Sequence, residues 1–209
     1  MANRVYLSST AFTHLPTDAE FDDFSRHSGA EYEAKASVPL FWMCLFAAGD
    51  IRQVPANAED GGRAYPYLLC AKEDALRRLH ALSAPMAAVM NEERHELYED
   101  WLHRVENEPY SNLLVRTIEL DWMCEDGELE ADLRQTIQDL DHLRDHGKFH
   151  LSPAMRNITG LIYGDNLNVY PGPAFAGFFS GAENWPPRLT PPPPAAPPPS
   201  RPRWMFWKR

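Results

Sequence analysis

The chain has 209 residues, 44% of them hydrophobic and 24% charged, enough to bury a core in one domain. All 30 acidic residues precede residue 188, so residues 1–187 set fifteen basic side chains against 30 carboxylates, while five basic residues follow. A surface of that sign repels nucleic acid and anionic lipid and favours basic partners, which argues against direct nucleic-acid binding by the domain.

In chain order, residues 4–9 alternate and are rich in β-formers, which predicts a first strand. Thr17-Asp18-Ala19-Glu20 has the form of a capping box opening a short helix, with Phe21 and Phe24 three apart. Residues 31–36 read as a second strand or an extended lead into the most apolar stretch, Ser37-Val38-Pro39-Leu40-Phe41-Trp42-Met43-Cys44-Leu45-Phe46-Ala47-Ala48-Gly49. Ser37 as N-cap, Pro39 in the first turn and Gly49 as a left-handed stop predict a helix over about 39–48, apolar on every side and therefore central. It is roughly half the length of a membrane span.

Residues 57–63, with Asp60-Gly61-Gly62, read as a loop, 65–70 as a strand and 72–82 as a helix. Ser83 and Pro85 restart a longer helix to about Asn107, with Met86, Val89, Met90, Leu97 and Trp101 inward and Glu92, Glu96, Glu99 and Glu106 outward. Residues 113–122 are a strand candidate that sets Leu114, Arg116, Ile118, Leu120 and Trp122 on one face. Asp126-Gly127 turns the chain into a helix striped by Leu129, Leu133, Ile137, Leu140 and Leu143 and closed by Gly147. Ser152-Pro153 opens a short helix, and a Gly- and aromatic-rich passage from 163 to 185 packs as loops. Ten prolines between Pro186 and Pro202 predict a polyproline II tail, ending in Trp204-Met205-Phe206-Trp207-Lys208-Arg209. The expected fold class is α+β, a small sheet packed against several helices with a buried central helix, in one domain over 1–185 followed by a Pro-rich disordered tail over 186–209.

Chemistry-bearing patterns are sparse. Cys44, Cys70 and Cys124 are far apart with no C-x-x-C pair, which suits reduced thiols in the cytoplasm, and residues 1–8 lack the apolar core of a secretory signal. His142, His146 and His150 are four apart, but Gly147 interrupts their helix, leaving two imidazoles on one face and no complete metal set. Glu92 with His95, Asp100 with His103 and Asp139 with His142 have the i, i+3 spacing of di-iron bundles yet fall away from the apolar stripes. G-x-S-x-G and H-E-x-x-H are absent, so no catalytic, metal or cofactor residue is nominated. An enzyme with a site assembled from distant residues is one alternative function, and an adaptor binding through the Pro-rich tail is another.

Charge is the strongest non-random feature. Residues 91–145 hold seventeen carboxylates and five arginines. Their bland meaning is a solvated face, and their sharper one is a docking face for a basic protein, to which Glu92, Glu96, Glu99, Glu125, Asp126 and Glu128 would contribute.

Met1-Ala2-Asn3-Arg4-Val5-Tyr6-Leu7, with Glu31-Tyr32-Glu33-Ala34-Lys35 running into Val38-Pro39-Leu40-Phe41-Trp42-Met43-Cys44-Leu45-Phe46, resembles small bacterial immunity proteins that guard against polymorphic or type VI secreted toxins. The resemblance covers about the first fifty residues, and the proline tail departs from it. It implies a cytoplasmic, non-enzymatic protein that binds one cognate toxin domain and occludes its active site. Toxins acting in the cytoplasm commonly attack nucleic acids and have basic clefts, so the acidic surface and the resemblance imply the same partner.

Overall fold

The computed structural model describes residues 3–55, 63–179 and 185–190. Six antiparallel strands, β1 (Arg4–Thr10), β2 (Ser28–Lys35), β3 (Ile51–Val54), β4 (Tyr65–Ala71), β5 (Asn112–Arg116) and β6 (Phe178–Phe179), form one sheet in the order β3-β4-β5-β1-β2-β6. Register places Leu7 opposite Tyr32 and Val115, and Val115 opposite Leu68, so these side chains share the face that the helices cover. Tyr67, Leu69 and Leu114 point the other way, onto Phe24, Phe12 and Leu15. Phe24 belongs to α1 (Phe21–Arg26), which follows the capping box, where the Thr17 N–H donates to Glu20 Oε2 at 2.9 Å. The protein is thus an α+β fold.

The stretch at 38–46 is buried throughout, but the expected helix over 39–48 is only one turn, α2 (Leu40–Met43). Tertiary partners end it early. Arg78 takes the Leu45 carbonyl with a 2.7 Å hydrogen bond and pairs with Asp50 at 2.8 Å, so the chain tightens into i→i+3 turns instead of propagating. Asp50 caps the Ala47 N–H at 2.8 Å, and Gly49 lies inside the 3-10 turn Ala48–Asp50 rather than serving as a left-handed stop. Pro39, not Ser37, is the N-cap. Trp42 fixes the turn in the core by donating Nε1–H to the Ala176 carbonyl at 2.8 Å.

Helix α3 (Lys72–Val89) runs straight through Pro85, and the break expected there comes instead at Asn91, whose side chain caps the Arg94 N–H at the start of α4 (Glu92–Asn107). Pro85 is tolerated because the Ala81 carbonyl, which it deprives of a donor, belongs to an exposed residue of the helix. The strand expected over 113–122 stops at Arg116. Thr117 adopts the bridge region, donates Oγ1–H to the Pro66 carbonyl and starts α5 (Ile118–Asp121). Helix α6 (Glu128–His146) ends at Gly147 with φ +67, as the sequence pattern requires, and Ser152 caps α7 (Pro153–Thr159). Among the described residues, the last helix is α8 (Gly172–Ala176).

At the expected domain end, Trp185 is buried on Trp101, and residues 187–190 lie beside α4, with the Thr190 N–H bonded to Glu93. The proline tail beyond it and most of the loop at 57–63 lie outside the described residues. Among the described residues, no helix is long and apolar enough to cross a membrane.

Candidate functional site

The six carboxylates nominated from sequence are all exposed, but the fold divides them between two patches. Helix α3 packs against both α4 and α6. The acids on α4 and those ahead of α6 thus belong to two different helices that each pack on α3.

On α4, much of the charge is already used. Glu99 accepts from Ser83 Oγ at 2.5 Å and lies 3.3 Å from His95 Nε2. Glu93 accepts the Thr190 N–H at 2.8 Å, and Asp100 accepts from Arg104 Nε at 3.0 Å and Trp185 Nε1 at 2.6 Å. Arg94, 1% exposed, donates to the carbonyls of Tyr170 at 3.0 Å and Thr190 at 3.3 Å. Pro187 and Leu189 thereby come to lie beside Glu93, Glu96 and Leu97, flanking a cleft of about 300 Å³. Glu92 and Glu96 stay exposed beside this strap of the chain's own residues.

The turn between α5 and α6 is different. Arg63 reaches into it and donates to the carbonyls of Cys124 at 3.0 Å and Glu125 at 2.8 Å. Its Nε forms ion pairs with Asp121 Oδ2 at 3.1 Å and Asp126 Oδ1 at 3.4 Å, although neither is aligned as a hydrogen bond. The Asp121 side chain is 3% exposed. Burial holds its carboxyl above the usual range, Arg63 pulls it down, and Asp126 pushes it up again. Glu128 closes the next helix start by accepting the Glu125 N–H at 2.8 Å, and Gly127 supplies the left-handed N-cap at φ +75. One arginine thus fixes the backbone of a turn on which Glu125, Asp126 and Glu128 all face solvent.

Two residues of this turn escaped the sequence reading. Trp122 is 63% exposed and Met123 is 55% exposed, whereas a strand to residue 122 would have put Trp122 on the face shared with Leu114 and Leu120. The available signal was Thr117, whose β-branched hydroxyl side chain can end a strand as readily as continue it.

The remaining chemistry-bearing groups are elsewhere. His142 and His146 stack at 4.2 Å between centroids on α6, and among the described residues no group of three or more His, Cys, Asp or Glu could hold a metal ion. Burial pushes the thiols of Cys44 and Cys70 far up. Cys124 is raised by burial and then by the fields of Glu128, Asp121 and Asp132, which makes it a poor nucleophile at neutral pH. Glu108, 8% exposed, accepts from Ser9 Oγ at 2.6 Å and Tyr32 OH at 3.1 Å and so ties the end of α4 to β1 and β2. Comparison with protein-family models, with curated proteins and with solved structures finds no match to this chain.

Proposed function

We propose that the chain is a non-enzymatic antidote of the immunity type, which binds a basic, cytoplasm-acting bacterial toxin and covers its active site. The observation that carries this reading is the turn latched by Arg63, which presents Glu125, Asp126 and Glu128 to solvent on a backbone fixed before any partner arrives. Pre-organised charge of one sign raises association rates with a basic partner and loses little entropy on docking. The exposed acids of α4, Glu92, Glu96 and Glu99, form a second acidic patch that steers the same partner at longer range. The resemblance of the first fifty residues to immunity proteins agrees with a binder that acts by stoichiometry rather than turnover.

The test is retention of a basic protein by the tagged full chain in its host, followed by assay of that protein's toxicity with and without the chain. Release by salt, and loss of toxicity at one chain per toxin, are the expected results. Loss of both effects in E125K/D126K/E128K would locate the contact. A retained protein that stays fully toxic in the complex, or no retained basic protein, would refute the reading. A chain ending at residue 190 measures in the same assay what the proline tail adds.

A further inference from the structure

Exposed tryptophan is uncommon, because an indole in water forgoes the burial that drives folding. Here Trp122 and the adjacent Met123 both stand out from the surface, at 63% and 55% exposure, on the turn whose backbone Arg63 holds. Residues 119–128 supply five carboxylates and no basic residue, and three of them, Glu125, Asp126 and Glu128, are exposed on the turn that follows the apolar pair. Asp121, buried beneath, is neutralised by Arg63, while Glu125, Asp126 and Glu128 are exposed, although Asp126 also pairs with Arg63 and Glu128 accepts the Glu125 N–H.

An aromatic side chain inside a polar rim is the usual make-up of an interface hot spot: the centre supplies residence time and the rim supplies encounter rate. Met adapts its shape to an irregular recess beside a rigid indole. We infer that Trp122 and Met123 are the anchor of the proposed docking surface, and that the partner is a protein offering an apolar recess ringed by Arg or Lys. The inference rests on the antidote reading and names the chemistry of its contact. The charged rim selects the partner's sign, and the indole, stacked under a rim arginine or sunk among aliphatic side chains, holds it. The α4 patch lacks such a centre, since Leu97 is buried and the strap at 187–189 lies beside the exposed acids.

Binding kinetics separate the two roles. Full-length W122A and E125K/D126K/E128K are compared with the wild-type chain, using as probe the basic protein retained by the wild-type chain. W122A should raise the dissociation rate by about 30-fold while leaving the association rate and its salt dependence unchanged. The charge reversal should instead lower the association rate and flatten that dependence. Because Trp122 is solvent-exposed, an unchanged thermal midpoint in W122A confirms that the effect is local. A photocrosslinking benzoylphenylalanine at position 122, with position 163 as the exposed control, should join to an apolar residue flanked by Arg or Lys on the same protein. If the toxin is bound and neutralised but W122A leaves dissociation unchanged, or if position 122 crosslinks no more than position 163, the anchor is wrong and the antidote reading stands. If no basic protein is bound at all, both fall together.

Discussion

Replacing Arg63 with alanine removes the latch and leaves Asp121 beneath the turn without its cation. The Asp121 side chain is 3% exposed and that of Arg63 is 28% exposed, so the pair lies between the buried and surface extremes. Breaking a fully buried pair costs about 3–5 kcal/mol and losing an exposed one about 0–1, which places R63A at roughly 2–3 kcal/mol. The cost should depend on pH, and its sign follows from the direction of the Asp121 shift. Burial raises this carboxyl in the folded state, so ionisation there costs stability above its folded value, and the cost vanishes below the ordinary aspartate value. Removing Arg63 moves the folded value higher still. Urea unfolding should therefore give a deficit that shrinks as the pH falls toward the ordinary aspartate range. R63A/D121N, which removes the charge as well, should return to within about 1 kcal/mol of wild type. A deficit below about 0.5 kcal/mol, or one that is flat with pH, would mean that Asp121 rehydrates freely and that the turn is not held by this pair.

Other expectations follow from the packing. Gly177 has φ +70, and an added Cβ would lie 2.6 Å from Trp42 Cζ2 and 2.8 Å from the Glu33 carbonyl. Gly177→Ala should cost about 2–4 kcal/mol from left-handed strain and overpacking, and an unchanged urea midpoint would contradict this. Glu108→Ala strands the Ser9 and Tyr32 hydroxyls and should cost about 2–3 kcal/mol, against about 1 for Tyr32→Phe; equal losses would refute the shared-acceptor picture. Because burial raises Cys44 and Cys70, a thiol reagent at neutral pH should modify the native protein at Cys124 or not at all, and all three thiols only in urea. Mass spectrometry showing native Cys44 or Cys70 labelled would contradict it.

Local signals located most of the elements. Gly147 and the leucine stripe gave α6 to within a residue, Ser152-Pro153 gave α7, alternation gave β1, a compact apolar run gave β4, and β2 lies where residues 31–36 read as a strand or an extended lead. The errors lie where a distant residue decides. The helix at 39–48 was shortened by Arg78, more than thirty residues away in sequence, taking the Leu45 carbonyl. β3, Ile51–Val54, is a short edge strand defined by pairing with β4 rather than by its own pattern. The acidity of residues 91–145 was legible as composition, but which carboxylates are already engaged, such as Glu93, Glu99 and Asp100, depends on tertiary partners. Trp122 was misplaced because periodicity in ten residues cannot distinguish one strand from a strand followed by a single helical turn.

The most direct test of a pre-organised acidic docking turn is the association rate of the full chain with the basic protein it retains, measured at about 50 and 500 mM salt, where the screening length changes several-fold. Wild type should associate much faster at low salt, and E125K/D126K/E128K should lose most of that advantage, whereas E92K/E96K/E99K should lose only part. A rate indifferent to salt, or a turn variant indistinguishable from wild type, would contradict it.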